Sequence, residues 1–193
     1  MGDESDHRKT ELASDFTVAD YEKARHVKDR RAIAEAIRRR FTERYIRPLT
    51  VDPHRKHGFA MMAIACLMIE ALESFRQGWE TSDGQSKAAF CFFFDATESF
   101  AMFRGRGQSF YTHVRCGILH QAETTGGWKI ERKGPLLSAD GTINATRFIE
   151  TLEHVLDGFC DELIGAPWDS PEWKKVCKKM NAICKNCLAQ PLN

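Results

Sequence analysis

Apolar residues recur at steps of three to four positions through most of this chain, and that spacing favours amphipathic helices. One such stripe lies between residues 59 and 79 and consists of Ile64, Met68, Leu72, Phe75 and Trp79. A second stripe runs through 18–46 and stops before Pro48, a residue that cannot continue a helix. The spacing therefore predicts two long helices within the first 79 residues.

Later segments continue the helical pattern. Further helices are predicted over 86–103, 109–123, 144–164 and 170–187. In the run 88–94, periodicity alone does not separate a buried strand from a helix, but the alanines and the length of the segment favour a helix. Asn144 and Ser170 are of the residue types that cap helix N-termini, so each indicates where a helix begins.

Glycine-rich turns and polar stretches indicate where the remaining segments begin and end. Glycines at Gly126-Gly127 and Gly134 bound two short segments that could form a small β-hairpin near 128–138. Residues 1–14 are polar, lack an apolar period and are predicted to be a disordered tail. Residues 15–193 are predicted to form one all-α domain, a bundle of five to six helices with that small hairpin.

Composition narrows the class of protein. Hydrophobic residues make up 42% and charged residues 28% of the 193 residues, which is ordinary for a globular chain. The beginning of the chain is charged, and no run reaches about 18 apolar residues, so a cytoplasmic protein without a membrane span is expected. Cys184 and Cys187 lack a second pair of ligands at suitable spacing, so no metal site is predicted.

Charge is unevenly distributed although the formal net charge is only +1. Between residues 23 and 56 the chain carries twelve Lys or Arg residues against four acidic ones. A concentration of this kind is typical of a phosphate-binding surface, with Arg38, Arg39 and Arg40 as candidates for contact with an RNA backbone. A solvated, Arg-rich helix face would give the same pattern.

The segment 110–123 carries the most distinctive chemistry. Arg115 and His120 are separated by four residues on one predicted helix, with Gly117 between them. A glycine inside a helix costs about 1 kcal/mol relative to alanine, so it indicates close approach of another backbone. At about 100° per residue, the two side chains lie about 140° apart around the helix. They converge only through the reach of the Arg side chain or through two antiparallel copies.

This segment resembles the Arg-x4-6-His motif of HEPN domains, and the helical layout over 21–164 is similar as well. The resemblance implies a helical bundle that pairs into a homodimer, with the motif lining a cleft between the protomers. It also implies a metal-independent endoribonuclease without a cofactor, as in defence, toxin–antitoxin and RNA-processing systems. Single-stranded RNA would be the substrate, and a neutralising or regulatory protein is a further expected partner.

The resemblance also implies roles for individual residues. His120 would act as general acid or base, and Arg115 would donate hydrogen bonds to phosphate oxygens. Glu123, three residues beyond His120, and Glu70, within the 59–79 stripe, are supporting candidates, and for each an ordinary surface carboxylate is the alternative. Cys116 stands where many members have Asn, which leaves open a non-catalytic HEPN module that binds nucleotide, RNA or a partner protein. A purely structural bundle, with Arg115 paired to an acid, is the third reading.

Overall fold

Helices occupy all the predicted segments, although two of those segments are divided and not every helix end has a cap or break in its local sequence. The structure, a computed structural model, describes residues 7–50 and 57–187. Its helices are α1 (Val18–His26), α2 (Arg30–Phe41), α3 (Gly58–Gln77), α4 (Ser86–Ala96), α5 (Gly107–Phe110, Tyr111–Arg115 and Cys116–Gln121 in succession), α6 (Ala145–Gly165) and α7 (Pro171–Asn186). The predicted caps are confirmed, because Asn144 accepts a hydrogen bond from the Arg147 amide and Ser170 from the Trp173 amide.

The prediction of one helix over 18–46 is wrong. The chain leaves the helical conformation at Lys28, whose φ of 58° is left-handed, and Asp29 caps α2 by accepting from the Ala32 amide at 3.0 Å. Helix α2 then runs on through a π turn, Thr42–Ile46, into a final turn, Arg47–Thr50. That turn contains Pro48, so the helix end expected before this proline is wrong as well.

The helix expected over 86–103 is also shorter than predicted. Thr97 adopts an extended conformation that ends α4, and a separate 3₁₀ helix, Glu98–Phe103, follows it. The aromatic run on α4 nevertheless lies in a helix, as its alanines indicated. Phe90, Phe93 and Phe94 are fully buried and pack with further phenylalanines from the 3₁₀ helix, α5 and α6.

Short strands complete the fold. β1 (Glu11–Ala13) pairs antiparallel with β2 (Phe16–Thr17), and Leu12 is only 1% exposed. The disordered tail predicted over 1–14 is therefore wrong for residues 11–13, while residues 1–6 lie outside the described residues. β3 (Lys129–Glu131) pairs in parallel with β4 (Thr142–Asn144), and Leu137 forms an antiparallel bridge with Ile143. The small β element expected near 128–138 is present, with its main partner strand further along the chain.

Helix α3 lies in the middle of the bundle, where it packs against α4, α6 and α7. By length and composition it could cross a membrane, but most of it is buried inside the fold, which is the pattern of a core helix. The buried apolar residues form one cluster that extends from Leu12 to Met180. The predicted all-α bundle with a small β element is confirmed.

The start of α5 lies against the backbone of α4, and we expect this contact to leave no room for a side chain at Gly107. A Cβ atom at Gly107 would lie 2.6 Å from the Cα atom of Cys91, so Gly107→Ala should destabilise the fold by about 1–3 kcal/mol. A Cβ atom at Gly158 on α6 would have no neighbour within 4 Å. Gly158→Ala should therefore raise the free energy of unfolding by up to about 1 kcal/mol, through helix propensity. Urea unfolding of both variants measures the difference, and equal effects would contradict the close packing of α4 on α5.

Candidate functional site

A buried carboxylate on α3 forms the centre of the site. Glu70 is 6% exposed, and a charge in that position requires a partner. One of its oxygens, Oε1, accepts a hydrogen bond from Arg115 Nε at 2.9 Å, and the other, Oε2, accepts from Ser86 Oγ at 2.6 Å. Helices α3, α4 and α5 therefore meet at this carboxylate, and both of its oxygens are used.

Arg115 is held so that part of its guanidinium stays available. Burial opposes its charge, but the hydrogen bond and the negative charge of Glu70 outweigh that effect and raise the pKa of Arg115. Its two terminal nitrogens make no hydrogen bond with the described residues and are not sealed from solvent. The guanidinium carbon lies 5.8 Å from the centre of the Tyr111 ring. The site thus presents a fixed cation with free donors, which suits an anionic ligand.

The helix that carries Arg115 is locally widened. Residues Tyr111–Arg115 form a π turn, closed by the hydrogen bond from the Cys116 amide to the Tyr111 carbonyl. Single π turns inside α-helices are frequent at functional sites. The neighbouring Cys116 side chain, together with burial, raises the pKa of Tyr111.

Gly117 confirms the close approach expected from its position inside a helix. A Cβ atom there would lie 2.5 Å from the carbonyl oxygen of Glu123 in the segment that folds back after α5. The same segment is fixed by His113, whose Nδ1 lies 2.9 Å from Thr125 Oγ1 and whose ring lies against Gly126. His113 is thus a packing residue of α5.

His120 occupies the last turn of α5 and is exposed. It makes no hydrogen bond or ion pair with residues 7–50 or 57–187, and Arg115 is bonded to Glu70 instead. Within one chain the two motif residues are therefore not joined. Their separation of about 140° around the helix follows from the α-helical stretch between them.

The two supporting acids lie in different surroundings, and the supporting role of each stays a prediction. Glu70 contacts Arg115, as an acid on the second predicted helix was expected to do. Glu123 does not lie one turn beyond His120, because α5 ends at Gln121 and Ala122 is left-handed with a φ of 54°. Its carboxylate instead accepts a hydrogen bond from the Thr124 amide at 2.8 Å.

The basic surface predicted on the first long helix is largely used inside the fold. Arg38 bridges Asp157 at 3.1 Å and Asp161 at 2.7 Å, which ties α2 to α6. Arg40 Nη1 donates to the Leu12 carbonyl at 2.7 Å, which ties α2 to β1. Arg39 alone of the three is exposed. Arg38 and Arg40 thus already have partners within the chain, and their RNA-binding role stays a prediction.

Three residues near Arg115 were not found by sequence reasoning. Tyr111 lies four positions before Arg115, and that spacing was the signal that could have revealed it. Ser86 and Cys66 carry no local signal, because only the packing of α3, α4 and α5 brings them to the site. Burial, with the nearby charge of Glu70, raises the pKa of the Cys66 thiol, so it stays protonated.

In the described part of the chain, no three His, Cys, Asp or Glu side chains are grouped to hold a metal ion. Comparison of the chain with models of protein families, with curated proteins and with solved structures finds no significant match.

Proposed function

We propose that this protein is a metal-independent endoribonuclease of the HEPN type, which cleaves single-stranded RNA as a homodimer. The observation that carries the proposal is that Arg115, although paired with the buried Glu70, keeps terminal nitrogens that bond none of the described residues; the ion pair by itself would also suit a purely structural bundle. Glu70 takes only Nε, so the terminal nitrogens of Arg115 are left for phosphate oxygens. Such pre-positioned donors stabilise the charge that develops on phosphorus-bound oxygens during reaction.

The reaction proposed is an internal transfer at one phosphodiester. The ribose 2′-hydroxyl attacks the adjacent phosphorus, the bond to the 5′-oxygen breaks, and a proton moves from the attacking to the leaving oxygen. His120 is the residue assigned to move that proton, since histidine is the side chain that most often serves as general acid or base. The products are a 2′,3′-cyclic phosphate and a 5′-hydroxyl.

A second copy would supply the geometry that one chain lacks. His120 and Arg115 lie about 140° apart, whereas two copies packed through α5 place the motifs of both chains along one cleft. Leu119 precedes His120 on α5 and is 60% exposed, so pairing through α5 would cover an apolar side chain next to the motif.

The test is incubation of the purified protein with a labelled single-stranded RNA in EDTA, beside the double variant Arg115→Ala/His120→Ala. We expect cleavage by the wild type alone, with cyclic-phosphate ends identified by mass spectrometry. Light scattering at the same concentration should give twice the mass of one chain. Cleavage that survives in the double variant, or that requires added metal, would refute the proposal.

A non-catalytic HEPN module that binds nucleotide, RNA or a regulatory protein is the second candidate. It is favoured by His120, which lacks an orienting partner among the described residues, and by Cys116 in the position where many members have Asn. RNA binding without turnover in the same experiment, by a correctly folded protein, would decide for it.

A further inference from the structure

A groove lies between α1 and α7, away from the residues that surround Arg115. It consists of two adjoining cavities of about 630 and 360 Å³, and both are lined by Arg25 and Asn181. Because they share these residues, the cavities form one elongated depression. None of its lining residues belongs to the site around Glu70 and Arg115.

Three lysines of the groove lie along one face of α7, and an arginine of α1 lies opposite them. Lys174, Lys178 and Lys185 follow each other at steps of four and seven residues, which places them on the same helical face. Arg25 faces them from α1. The three lysines are exposed and form no ion pair with the described residues. Their positive charge is therefore available to a ligand.

The acidic residues of the groove do not balance this charge. Glu22 lines the larger cavity, but its carboxylate is paired with Arg8 at 2.9 Å. Asp169 lies at the other end, in the smaller cavity, beside Lys174. The groove consequently has an excess of positive charge, which attracts polyanions.

An aromatic ring is fixed at one end of the groove. Trp168 is half-buried and packs on Trp173 with ring centres 5.0 Å apart. Trp173 is itself immobilised, since its indole nitrogen donates to the Leu163 carbonyl at 2.8 Å. A supported indole beside lysines is the arrangement on which nucleic-acid bases stack.

At the other end of the groove lies a histidine whose Nδ1 has no partner among the described residues. His7 lines the larger cavity, and its Nδ1 is buried and makes no hydrogen bond with the described residues. Nearby, Tyr21 donates to Asn181 Oδ1 at 3.0 Å, which fixes the floor between α1 and α7.

We infer that this groove binds a single-stranded phosphodiester chain, with its phosphates on the α7 lysines and Arg25 and a base on Trp168. Helix α7 advances about 16 Å between Lys174 and Lys185, which accommodates more than one nucleotide. The assignment moves strand binding from α2, where Arg38 and Arg40 are bonded internally, to the face formed by α1 and α7. Binding here does not depend on cleavage at Arg115, so the two proposals fail separately.

The test measures fluorescence anisotropy of a labelled 16-nucleotide oligouridylate in EDTA with full-length protein. The variant Lys174→Glu/Lys178→Glu should weaken binding by about tenfold or more and flatten its dependence on salt. The matched control, Lys23→Glu/Lys133→Glu, makes the same change in net charge at exposed lysines outside the groove and should stay within about twofold. Trp168→Ala should weaken binding without altering the salt dependence.

Equal losses in the two lysine pairs would mean that net charge alone attracts RNA, and would overturn the assignment. Unchanged binding in Lys174→Glu/Lys178→Glu, with folding verified by circular dichroism, would overturn it as well. A labelled oligodeoxythymidylate identifies the sugar, because tighter binding of the ribose strand assigns RNA and equal binding assigns any single strand. If polyglutamate competed as effectively as unlabelled oligouridylate, the ligand of the groove would be an acidic protein rather than a nucleic acid, and the proposal would be refuted.

Discussion

Replacing His120 by Ala is expected to lower the rate of RNA cleavage by about 10²–10⁴-fold, the usual contribution of a general acid–base residue. The free energy of unfolding should change by less than about 0.5 kcal/mol, since His120 is exposed and makes no hydrogen bond with the described residues. Single-turnover cleavage and urea unfolding of the same preparation measure both quantities. A loss of activity without a loss of stability would assign the imidazole to the chemistry.

His113 provides the matched control for this experiment. It lies on the same helix, but its ring is bonded to Thr125 and covered by Gly126. His113→Ala should therefore cost about 1–3 kcal/mol of stability and leave the cleavage rate of the folded fraction close to that of the wild type. If His120→Ala cleaved RNA at the wild-type rate, the role assigned to His120 would be contradicted. It would also be contradicted if only His113→Ala lost cleavage completely.

The parts of this fold that were predictable are those decided by local chemistry. Helix α3 has a stripe of apolar residues, and α6 and α7 begin at Asn144 and Ser170, whose side chains bond amides three residues on. These signals act within a few residues, so they can be recognised in the sequence without knowledge of the packing.

The break at Lys28 and the strand β1 depend on distant contacts. A left-handed lysine is unfavourable by itself, and nothing in the helical pattern of 18–46 indicates it. Leu12 is buried in the core, and its carbonyl accepts from Arg40 and Arg44 on the far side of that break. Three residues of strand are too few to show a period, so only the packed structure reveals them.

The same division applies to the site. Glu70 was predictable because a carboxylate embedded in an apolar stripe needs a partner, and Arg115 lies on the other distinctive helix. The second bond of Glu70, from Ser86, follows from the relative position of α3 and α4 and has no sequence signal. The error at Glu123 arose because the helix was extended past Ala122, where no glycine marks its end.

Arg115→Lys is expected to reduce cleavage by about 10²–10³-fold, nearly as much as Arg115→Ala, although it preserves the charge. Arg115 bonds Glu70 through Nε, and its terminal nitrogens are the donors proposed for the phosphate. A lysine has a single nitrogen on a flexible stem, and that nitrogen cannot hold the same geometry toward both groups. Rates measured with saturating single-stranded RNA separate this effect from weaker binding.

Stability distinguishes the two variants and makes the comparison decisive. Arg115→Ala leaves the buried Glu70 carboxylate without a counter-charge and should cost about 3–5 kcal/mol, whereas Arg115→Lys retains a cation and should lose much less. If Arg115 served only to neutralise Glu70, Arg115→Lys would cleave within about tenfold of the wild type. A stable but inactive Arg115→Lys variant would therefore mean that cleavage requires the planar set of N–H donors of the guanidinium, and not only its charge.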